Sequence, residues 1–427
     1  MPLKVLVLGS GGREHAIAWK ISQSENLSQL YCLPGNPGTG AFATNIAAKA
    51  DDFEAVADAV ARFGIDMVVV GPENPLVAGV TDFLKGRFPG LMIIGPSQRG
   101  AMLEGSKEFA KDFMSRHAIP TAAYRSFTKE TLAGAKEFLK TLQPPYVLKA
   151  DGLAAGKGVV ILESYDAACT ELEEMFSGKF GAASSKVVIE QFLSGIEVSV
   201  FVLTDGRDYM ILPEAKDYKR IGDGDTGLNT GGMGAVSPVP FADAEFMSKV
   251  EERIVKPTIA GLAKDEIDYK GFIFIGLMNC CGDPYVIEYN VRMGDPETES
   301  VMTRIDSDLL AHLEATAKGR LAAETLVKSD KAAVTVVIVS GGYPGHYASG
   351  YPITGIEEAA RTVNVFHMGT KSADGKVVSS GGRVLAVTAN GTDMADAAAK
   401  AYKAASAIDF KDCYHRSDIT QDLKKYL

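Results

Sequence analysis

The stretch Lys4-Val-Leu-Val-Leu-Gly-Ser-Gly-Gly-Arg-Glu-His15 decides the fold class of this 427-residue chain. An apolar run at 4–8 is followed by a glycine-rich turn, and a helical pattern continues from about Arg13 to Ser22. A strand, a tight turn and a helix in this order are typical of the first unit of a parallel α/β sheet. The stretch therefore predicts an α/β protein that begins with parallel strands.

The same alternation continues through the first hundred residues. Apolar runs lie at 29–33, 67–71 and 91–95, and helical patterns lie at 53–63 and 76–86. This spacing favours a parallel sheet with helices on both faces. The pattern ends near Gly95-Pro96, so we predict a first domain at 1–100.

Beyond this unit the pattern mixes α and β elements. We predict a helical stretch at 98–120, strands and a helix around a glycine-rich loop within 145–203, a long functional loop at 214–240, a helix at 243–264, strands at 271–280 and 284–290, and a helix near 306–318. The last hundred residues predict a small closing domain, with strands at 332–340, 362–367 and 383–388 and a helix at 392–406.

Composition excludes several classes of protein. A net charge of -10 argues against non-specific nucleic-acid binding, and 46% hydrophobic with 23% charged residues is ordinary for a globular protein. Five cysteines without C-x-x-C spacing indicate a reducing compartment, and six scattered histidines argue against zinc. No apolar run is long enough for a signal peptide or a membrane span. We expect a cytoplasmic protein without nucleic-acid or membrane partners.

The glycine-rich turn at 9–15 predicts an anion site. It would direct backbone N–H groups and a positive helix end at a ligand. A dinucleotide fold fits poorly, because the third glycine of its fingerprint would fall at Glu14 and no acid follows the second strand. A small phosphorylated ligand is therefore favoured over a nicotinamide cofactor. Purely structural glycines are the alternative.

A second candidate site is Val286-Ile-Glu-Tyr-Asn-Val-Arg-Met-Gly-Asp-Pro-Glu297. Side chains two apart on a strand share a face, so Glu288 and Asn290 would present two hard oxygens together. Such a pair suits Mg²⁺ shared with nucleotide phosphates. The fork of Arg292 suits carboxylate or phosphate. An exposed strand end with ordinary charges is the alternative, but the density of such residues favours a nucleotide–metal site.

The segment 146–160 reads as strand, glycine-rich turn and strand. Glycines allow close approach to phosphate oxygens and let such a loop close over ATP, while Lys149 and Lys157 supply positive charge. It is not a P-loop, because no Ser or Thr follows the lysine. A tight hairpin with solvated lysines is the alternative.

Two further segments are candidates for nucleotide and substrate contacts. Within 187–197, Glu197 is a candidate for the ribose hydroxyls and Glu190 for the vicinity of the base, although the segment taken alone favours an ordinary strand pair. The tract 217–234 concentrates donors for anions and acids for an amine, with a surface linker as the alternative.

Taken together, six motifs resemble the glycinamide ribonucleotide synthetase family of ATP-grasp enzymes over essentially the whole chain. The motifs are Gly-Gly-Arg-Glu-His at 11–15, Val-Gly-Pro-Glu at 70–73, Leu-Glu-Gly-Ser-Lys at 103–107, Lys-Ala-Asp-Gly-Leu-Ala-Ala-Gly-Lys-Gly at 149–158, Asn-Thr-Gly-Gly-Met-Gly at 229–234 and Arg-Met-Gly-Asp-Pro-Glu at 292–297. The first two and the last are typical of this family rather than of ATP-grasp proteins broadly.

The resemblance implies three domains and one reaction. A phosphoribosyl-binding α/β domain would span 1–100, a split ATP-grasp domain 101–325 with a lid inserted at about 121–189, and a small C-terminal α/β domain 326–427. ATP, glycine and 5-phosphoribosylamine would give glycinamide ribonucleotide, ADP and phosphate. Glycyl phosphate would be the intermediate, and Mg²⁺ or Mn²⁺ would be the metal.

The resemblance also implies residue roles. Metal would lie at Glu288 and Asn290, and the catalytic residues would be Lys149, Asp217 (for glycine's ammonium) and Arg292 (for the transferred phosphoryl group). ATP would contact Lys107, Lys149, Gly152, Gly156, Lys157, Gly158, Glu190, Gln191, Phe192, Leu193 and Glu197. The other substrates would contact Gly11, Gly12, Arg13, Glu14, Lys219, Asn229, Thr230, Gly231, Gly232, Arg292 and Asp295.

Some positions depart from the commoner family pattern. Lys216, Tyr218, Leu228, Met293 and Glu299 stand where Gln, His, Pro, Phe and Gln are frequent. None removes a charge that the chemistry needs. We expect a monomer with small-molecule partners and a transient contact with the enzyme that makes phosphoribosylamine. A carboxylating or other amide-forming ATP-grasp ligase and a non-catalytic nucleotide-binding module are the rival hypotheses.

Overall fold

The computed structural model describes residues 2–153 and 158–426. Two residues of the sequence-predicted ATP site, Gly156 and Lys157, lie outside this described part of the chain.

The first unit is a five-stranded parallel sheet with helices between its strands. Its elements are β1 (Leu3–Gly9), α1 (Gly12–Ile21), β2 (Leu27–Pro34), β3 (Thr44–Asn45), α2 (Phe53–Phe63), β4 (Met67–Val70), α3 (Glu73–Ala78), α4 (Val80–Arg87), β5 (Met92–Ile94), α5 (Gln98–Gly105) and α6 (Lys107–Arg116). The strand order is β3-β2-β1-β4-β5, and every pairing is parallel. The predicted α/β fold class is confirmed.

Both faces of this sheet are covered. Four consecutive residues of β1, Val5 to Leu8, are completely buried, which explains why the strand reads as an unbroken apolar run. The predicted helix at 76–86 is in fact two helices, α3 and α4. They separate at Gly79, whose φ of 94° ends the first helix in the left-handed region.

A second, antiparallel sheet follows. Its elements are β6 (Tyr124–Thr128), α7 (Leu132–Lys140), β7 (Tyr146–Ala150), β8 (Val159–Leu162), α8 (Tyr165–Phe176) and β9 (Lys186–Gln191), with strand order β6-β9-β7-β8. Two helices pack on this sheet through a separate hydrophobic cluster that includes Leu139, Leu148 and Leu172. This sheet occupies the region predicted as a lid.

The next segment, residues 196–317, forms a third sheet and contributes two strands to a fourth. Its elements are β10 (Ile196–Thr204), β11 (Tyr209–Ile211), β12 (Lys216–Asp217), β13 (Arg220–Gly222), β14 (Thr226–Asn229), β15 (Gly234–Ser237), α9 (Ala244–Val250), a π-helical turn (Glu251–Val255), α10 (Lys256–Lys264), β16 (Gly271–Cys280), β17 (Asp283–Asn290), α11 (Glu297–Met302) and α12 (Leu309–Ala317). The third sheet has the order β11-β10-β16-β17 and is antiparallel.

The strand-pair alternative for 187–197 is wrong. Although β9 and β10 are consecutive, they belong to different sheets, and the connection 192–195 joins the two. A connection between two sheets is a place where a ligand can lie between them, so the position is compatible with the predicted adenine hinge.

The C-terminal elements complete a fourth sheet. They are β18 (Ala332–Val339), α13 (Ile356–Ala360), β19 (Asn364–His367), β20 (Thr370–Ala373), β21 (Lys376–Ser379), β22 (Arg383–Gly391) and α14 (Met394–Ala405). The antiparallel order is β12-β15-β18-β22-β19, while β13–β14 and β20–β21 form separate hairpins.

The long loop predicted at 214–240 is therefore wrong in part. Four short strands lie within it, and two of them, β12 and β15, extend the sheet of the C-terminal region. These strands have two to four residues, which is too short to show periodicity in sequence. Through this pairing, the sheet built by the last hundred residues also includes two strands from earlier in the chain.

The remaining global features agree with the composition. All five cysteines are free thiols. Among the described residues, no helix is both long enough and apolar enough to cross a membrane.

Candidate active site

The predicted metal pair lies on β17, next to β16 of the same sheet. Glu288 is paired with Gly276, and Asn290 with Phe274, so the two side chains share one face of the strand. Tyr289 points the other way, into the core, where its hydroxyl contacts Thr258 at 2.7 Å. Just before Glu288 the register shifts, and this irregularity frees the Ile287 carbonyl to accept a bond from Lys149 Nζ at 3.2 Å.

Positive side chains surround the Glu288 carboxylate. Burial alone would raise the pKa of Glu288, but the charges of Lys219, Lys149 and Lys107 outweigh burial and hold the pKa below its usual value. Within residues 2–153 and 158–426, no hydrogen bond or ion pair engages this carboxylate directly. It is therefore an ionised acid with free lone pairs, close to three lysines.

Lys149 and Lys111 share one buried counterion. Glu190 Oε1 lies 2.9 Å from Lys149 Nζ, and Glu190 Oε2 lies 2.9 Å from Lys111 Nζ. All three side chains are buried, and the lysines hold the pKa of Glu190 below its usual value although burial opposes this. Burial lowers the pKa of Lys111 to about 8. Two lysines against one acid leave a net positive charge beside β17.

Lys107 and the glycine-rich turn are joined directly. Lys107 Nζ donates to the Gly152 carbonyl at 3.0 Å, and burial lowers the pKa of this lysine. Asp151 accepts bonds from Ser106 Oγ and from the Glu108 backbone at 3.0 and 3.2 Å, so it caps the start of α6. Gly158, at the far end of the turn, accepts a bond from Ala150 at 2.8 Å. The turn is thus anchored at both ends beside Lys107 and Lys149.

The predicted adenine segment lies at the end of β9. The Gln191 backbone N–H donates to Ala123 at 2.8 Å, and Phe192 and Leu193 are half-buried in the connection that follows. The side chain of Glu190 faces the two lysines, and its backbone lies within the sheet, paired with Tyr124 of β6 and Val147 of β7.

Arg292 is the centre of a second charge network. Its Nη2 donates to Glu104 Oε1 at 2.8 Å and to Asn290 Oδ1 at 3.1 Å, and its Nε lies 3.3 Å from Glu73 Oε2. Glu104 also accepts a bond from the Val291 backbone at 2.8 Å. The guanidinium is therefore fixed next to the metal pair rather than free to swing.

The same Glu73 connects this centre to the glycine-rich loop of α1. Arg13 Nη2 lies 3.8 Å from Glu73 Oε2, and Arg13 Nη1 donates to the Met293 carbonyl at 3.3 Å. Glu14 folds back on the loop, accepting bonds from Arg13 Nε at 2.5 Å and from the Gly11 backbone at 2.7 Å. Glu14 thus replaces the glycine of a dinucleotide fingerprint with a capping acid.

Asp295 lies at the start of α1, next to Gly11 and Gly12. Its Oδ2 is 3.4 Å from the Arg13 backbone nitrogen, and its Oδ1 is 3.0 Å from Arg383 Nη1. Arg383 begins β22, and it also donates to the Gly231 carbonyl at 2.7 Å. The C-terminal sheet therefore fastens the predicted substrate loop to the Gly-Asp-Pro turn.

The loop 229–232 packs tightly against that turn. Asn229 is exposed at the end of β14, while Thr230 Oγ1 donates to the Lys219 carbonyl at 2.8 Å and accepts from the Gly232 backbone at 2.9 Å. Gly232 has a φ of 120°, and a Cβ there would lie 2.4 Å from Pro296 Cδ. Only glycine fits this close approach.

An acid-rich group surrounds Lys219. Lys219 forms an ion pair with Glu197, and the charges of Asp217 and Glu197 raise its pKa although burial opposes this. Burial raises the pKa of Asp217. The charge of Lys219 acts to lower this pKa, and the charge of Glu197 raises it further. Burial, and then the charge of Asp217, raise the pKa of Glu297 to about 7. This end of the site offers acids to an ammonium group.

Sequence reasoning missed five residues of the site: Glu73, Glu104, Lys111, Glu297 and Arg383. Three of them stand inside motifs noted for other reasons, at 70–73, 103–107 and 292–297. Their roles as counterions were not visible, because a counterion is defined by its partner across the fold. Lys111 and Arg383 carried no local signal at all.

Glu299 is a buried acid on α11, the helix that follows the Gly-Asp-Pro turn. It is fully buried on α11, and neither carboxylate oxygen has a hydrogen-bond partner within the described parts of the chain. Its Oε1 lies 2.1 Å from where a Cβ on Gly12 would be, so it faces the start of α1. Burial, reinforced by Asp295, raises the pKa of Glu299 well above its usual value.

We expect Glu299→Gln to stabilise the fold in a pH-dependent way. The folded-state pKa is raised, so the native protein binds the extra proton and loses stability as pH rises above the usual glutamate value of about 4.3. Glutamine carries no such charge, and the gain near pH 8 should be on the order of 2 kcal/mol. Thermal unfolding at about pH 5 and pH 8 checks this. A stability difference independent of pH would contradict it.

Comparisons with known proteins cover nearly the whole chain. Family models match for the phosphoribosylglycinamide synthetase N domain at residues 3–104, the ATP-grasp (A) domain at 105–298 and the C domain at 333–422. A relative named phosphoribosylamine–glycine ligase, from Agrobacterium fabrum, is 47% identical over 417 residues, which is 98% of each chain.

Solved structures agree with these matches. The crystal structure of phosphoribosylamine–glycine ligase from Thermotoga maritima has a TM-score of 0.86 and 35% identity, and the match covers 97% of this chain and 100% of that chain. A biotin carboxylase–β,γ-ATP complex from Campylobacter jejuni has a TM-score of 0.72 at 16% identity, covering 96% of this chain and 92% of that chain. At that identity the likeness shows the fold alone.

Proposed function

The chain belongs to the phosphoribosylglycinamide synthetase family, and from this membership we propose that it joins glycine to 5-phosphoribosylamine at the site around Glu288. It is an ATP-dependent, ADP-forming carbon–nitrogen ligase of purine biosynthesis. The observation that carries the proposed location is the gathering of Lys107, Lys149 and Lys219 around the ionised Glu288 carboxylate.

ATP use and a divalent metal follow from the family. We propose Mg²⁺, with Mn²⁺ as a substitute, held by Glu288 and Asn290. The fit is good, because Glu288 is ionised with free lone pairs and Asn290 adds a neutral oxygen on the same strand face, with a second lone pair beside the bond from Arg292. No group of three His, Cys, Asp or Glu side chains in the described residues forms a metal cage, which suits an ion that completes its shell with phosphate and water. When bound, such an ion neutralises triphosphate charge.

We propose that Lys107 and Lys149 hold the phosphates of ATP. Lys107 donates to the Gly152 carbonyl of the glycine-rich turn, and Lys149 contacts the strand that carries Glu288. Glu190 forms buried ion pairs with both Lys149 and Lys111, so one acid is shared by two lysines beside the proposed phosphate site. The backbone of 190–193, together with Glu197, remains the proposed adenosine site, and the turn at 152–158 is its proposed cover.

In the first step, the glycine carboxylate attacks the γ-phosphorus of ATP, and the bond to the bridging oxygen breaks to release ADP. Arg292, fixed by Glu104 and Glu73, would supply positive charge to the transferred phosphoryl group. Asp217 would hold the ammonium end of glycine. Catalysis at this step is positioning and charge neutralisation.

In the second step, the amine of phosphoribosylamine attacks the carbonyl carbon of glycyl phosphate. Phosphate leaves, and the nitrogen loses a proton. Glu297 is our candidate acceptor for that proton, since burial and then the charge of Asp217 raise its pKa to about 7 and its Oε1 accepts a bond from Ser199 Oγ at 3.1 Å. Gly11, Gly12, Arg13, Asp295 and the loop at 229–232 would hold the phosphoribosyl group.

The rival hypotheses are not favoured. Carboxylating ATP-grasp enzymes share the fold at under 20% identity, while the ligase relatives reach 47% over 98% of the chain. We retain as proposals the domain boundaries near residues 100 and 325, a monomeric state, a cytoplasmic location and a transient contact with the enzyme that makes phosphoribosylamine.

The test supplies ATP, Mg²⁺, glycine and freshly generated phosphoribosylamine. We expect ADP, phosphate and glycinamide ribonucleotide in equal amounts, and no turnover when glycine is omitted. Bicarbonate in place of glycine is the control for a carboxylating enzyme. Formation of AMP, or activity that needs bicarbonate and not glycine, would reject the proposal.

A further inference from the structure

A C-terminal turn, residues 416–423, lies directly behind the substrate segment 216–232. Ile419 and Leu423 of this turn are completely buried, in the same hydrophobic cluster as Tyr218. The two segments are about two hundred residues apart in sequence, yet seven hydrogen bonds connect them within the described part of the chain. The turn is therefore part of the wall that supports the site.

Tyr218 contacts this turn through both its hydroxyl and its ring. Its hydroxyl donates to Asp422 Oδ1 at 2.6 Å and accepts a bond from the Thr420 backbone at 3.0 Å. Lys216 Nζ lies 3.6 Å from the centre of the Tyr218 ring and 3.2 Å from Asp422 Oδ2. The ring has Arg416 at 5.2 Å as a second cation.

Arg416 holds the hairpin β13–β14 from the same turn. This buried side chain forms a two-point contact with Asp418, with both N–O distances 2.7 Å, and donates to Asp225 Oδ1 at 2.7 Å. It also donates to the Arg220 carbonyl at 3.1 Å, while Asp418 accepts from the Gly224 backbone at 2.7 Å. An isolated two-stranded hairpin is marginal by itself, so these bonds are needed to order it.

The opposite side of the same backbone carries the site. Side chains alternate along an extended segment, so Asp217 and Lys219 project away from Tyr218 and interact with Glu197 and Glu297. The Lys219 carbonyl also accepts hydrogen bonds from the backbone N–H and the hydroxyl of Thr230, which lies in the substrate loop 229–232. A displacement of Tyr218 would move Asp217, Lys219 and Thr230 together.

We propose that Tyr218, fastened to Asp422 of the C-terminal turn and flanked by Lys216, is a positioning residue that sets Asp217 and Lys219 against glycine. This inference rests on the proposed placement of glycine beside Asp217. It also explains two departures from the commoner family pattern. Lys216 and Tyr218 touch each other and share Asp422, so they form one unit rather than two independent changes.

The test is Tyr218→Phe, which keeps the ring and removes only the hydroxyl bonds to Asp422 and Thr420. We expect kcat/KM for glycine to fall about tenfold, because a small displacement of a binding group is costly in a preorganised site. The KM for glycine should rise more than the KM for ATP, since Lys107 and Lys149 lie on other elements.

Tyr402→Phe is the matched control. Tyr402 OH accepts a bond from the Ile419 backbone at 2.9 Å, so its loss weakens the same turn without touching Tyr218. We expect its kcat/KM for glycine to stay within about twofold of the parent enzyme when assayed below its unfolding temperature. Equal losses in the two variants would show a general weakening of the turn and would overturn the proposal, as would unchanged kinetics in Tyr218→Phe.

A double-mutant cycle with Asp422→Ala gives a second measurement. If Tyr218 acts through Asp422, the double variant should be no slower than the worse single variant, whereas strictly additive losses would overturn the proposal. Asp217→Asn separates this proposal from the function it rests on. Full activity in Asp217→Asn would show that glycine does not bind at Asp217, and the proposed glycine site would be wrong. If Asp217→Asn is inactive and Tyr218→Phe has normal kinetics, the glycine site stands and only the positioning role of Tyr218 is wrong.

Discussion

Glu288→Ala is expected to lower turnover about 10³-fold or more while the protein stays folded. The change removes the one charged oxygen ligand of the proposed metal pair and leaves Lys107, Lys149 and Lys219 facing each other without their shared acid. Because β17 keeps its pairing with β16 and its core contacts, the fold should survive. Turnover at saturating ATP and Mg²⁺, with circular dichroism for the fold, checks this.

Asp283→Asn is the control for this prediction. It lies at the other end of β17, where its carboxylate is half-exposed and bonds Arg253 at 3.0 Å. We expect normal turnover from it. Mn²⁺ binding followed by electron paramagnetic resonance, with ADP present, gives a readout apart from activity, and Glu288→Ala should lose it. Near-normal turnover in Glu288→Ala would overturn the metal assignment.

Arg292→Met is expected to lower kcat about 10³-fold, since the guanidinium is the fixed cation next to the metal pair. It should also destabilise the protein by about 3 kcal/mol, because Glu104 would remain buried without its partner. The two effects have different causes. Single-turnover kinetics measures the first, and chemical unfolding measures the second.

The double variant Arg292→Met with Glu104→Gln separates these effects. Glutamine keeps the shape of Glu104 and can still accept a bond from the Val291 backbone, so most of the lost stability should return. Turnover should remain low, because the cation is still absent. If turnover recovered together with stability, Arg292 would be a structural residue, and its catalytic role would be wrong.

The sequence by itself predicted the elements whose signals are local. The apolar runs of the first hundred residues predicted a parallel sheet, because strands that are buried on both faces appear in sequence as unbroken apolar runs. The two-residue spacing of Glu288 and Asn290 predicted that they share a face, since that period belongs to any strand. Residue types and spacing were enough for these features.

Only the tertiary structure determined which strands pair and which charged side chains are in contact. The loop predicted at 214–240 contains strands because β18, a hundred residues later, provides an edge for β15 to pair with. Glu73, Glu104 and Lys111 became parts of the site through charges that approach from other elements. Tyr218 owes its proposed positioning role to contacts with a turn near the C-terminus. Local sequence carries backbone preference and side-chain period, whereas ion pairs and sheet edges depend on which distant segments the packed core brings together.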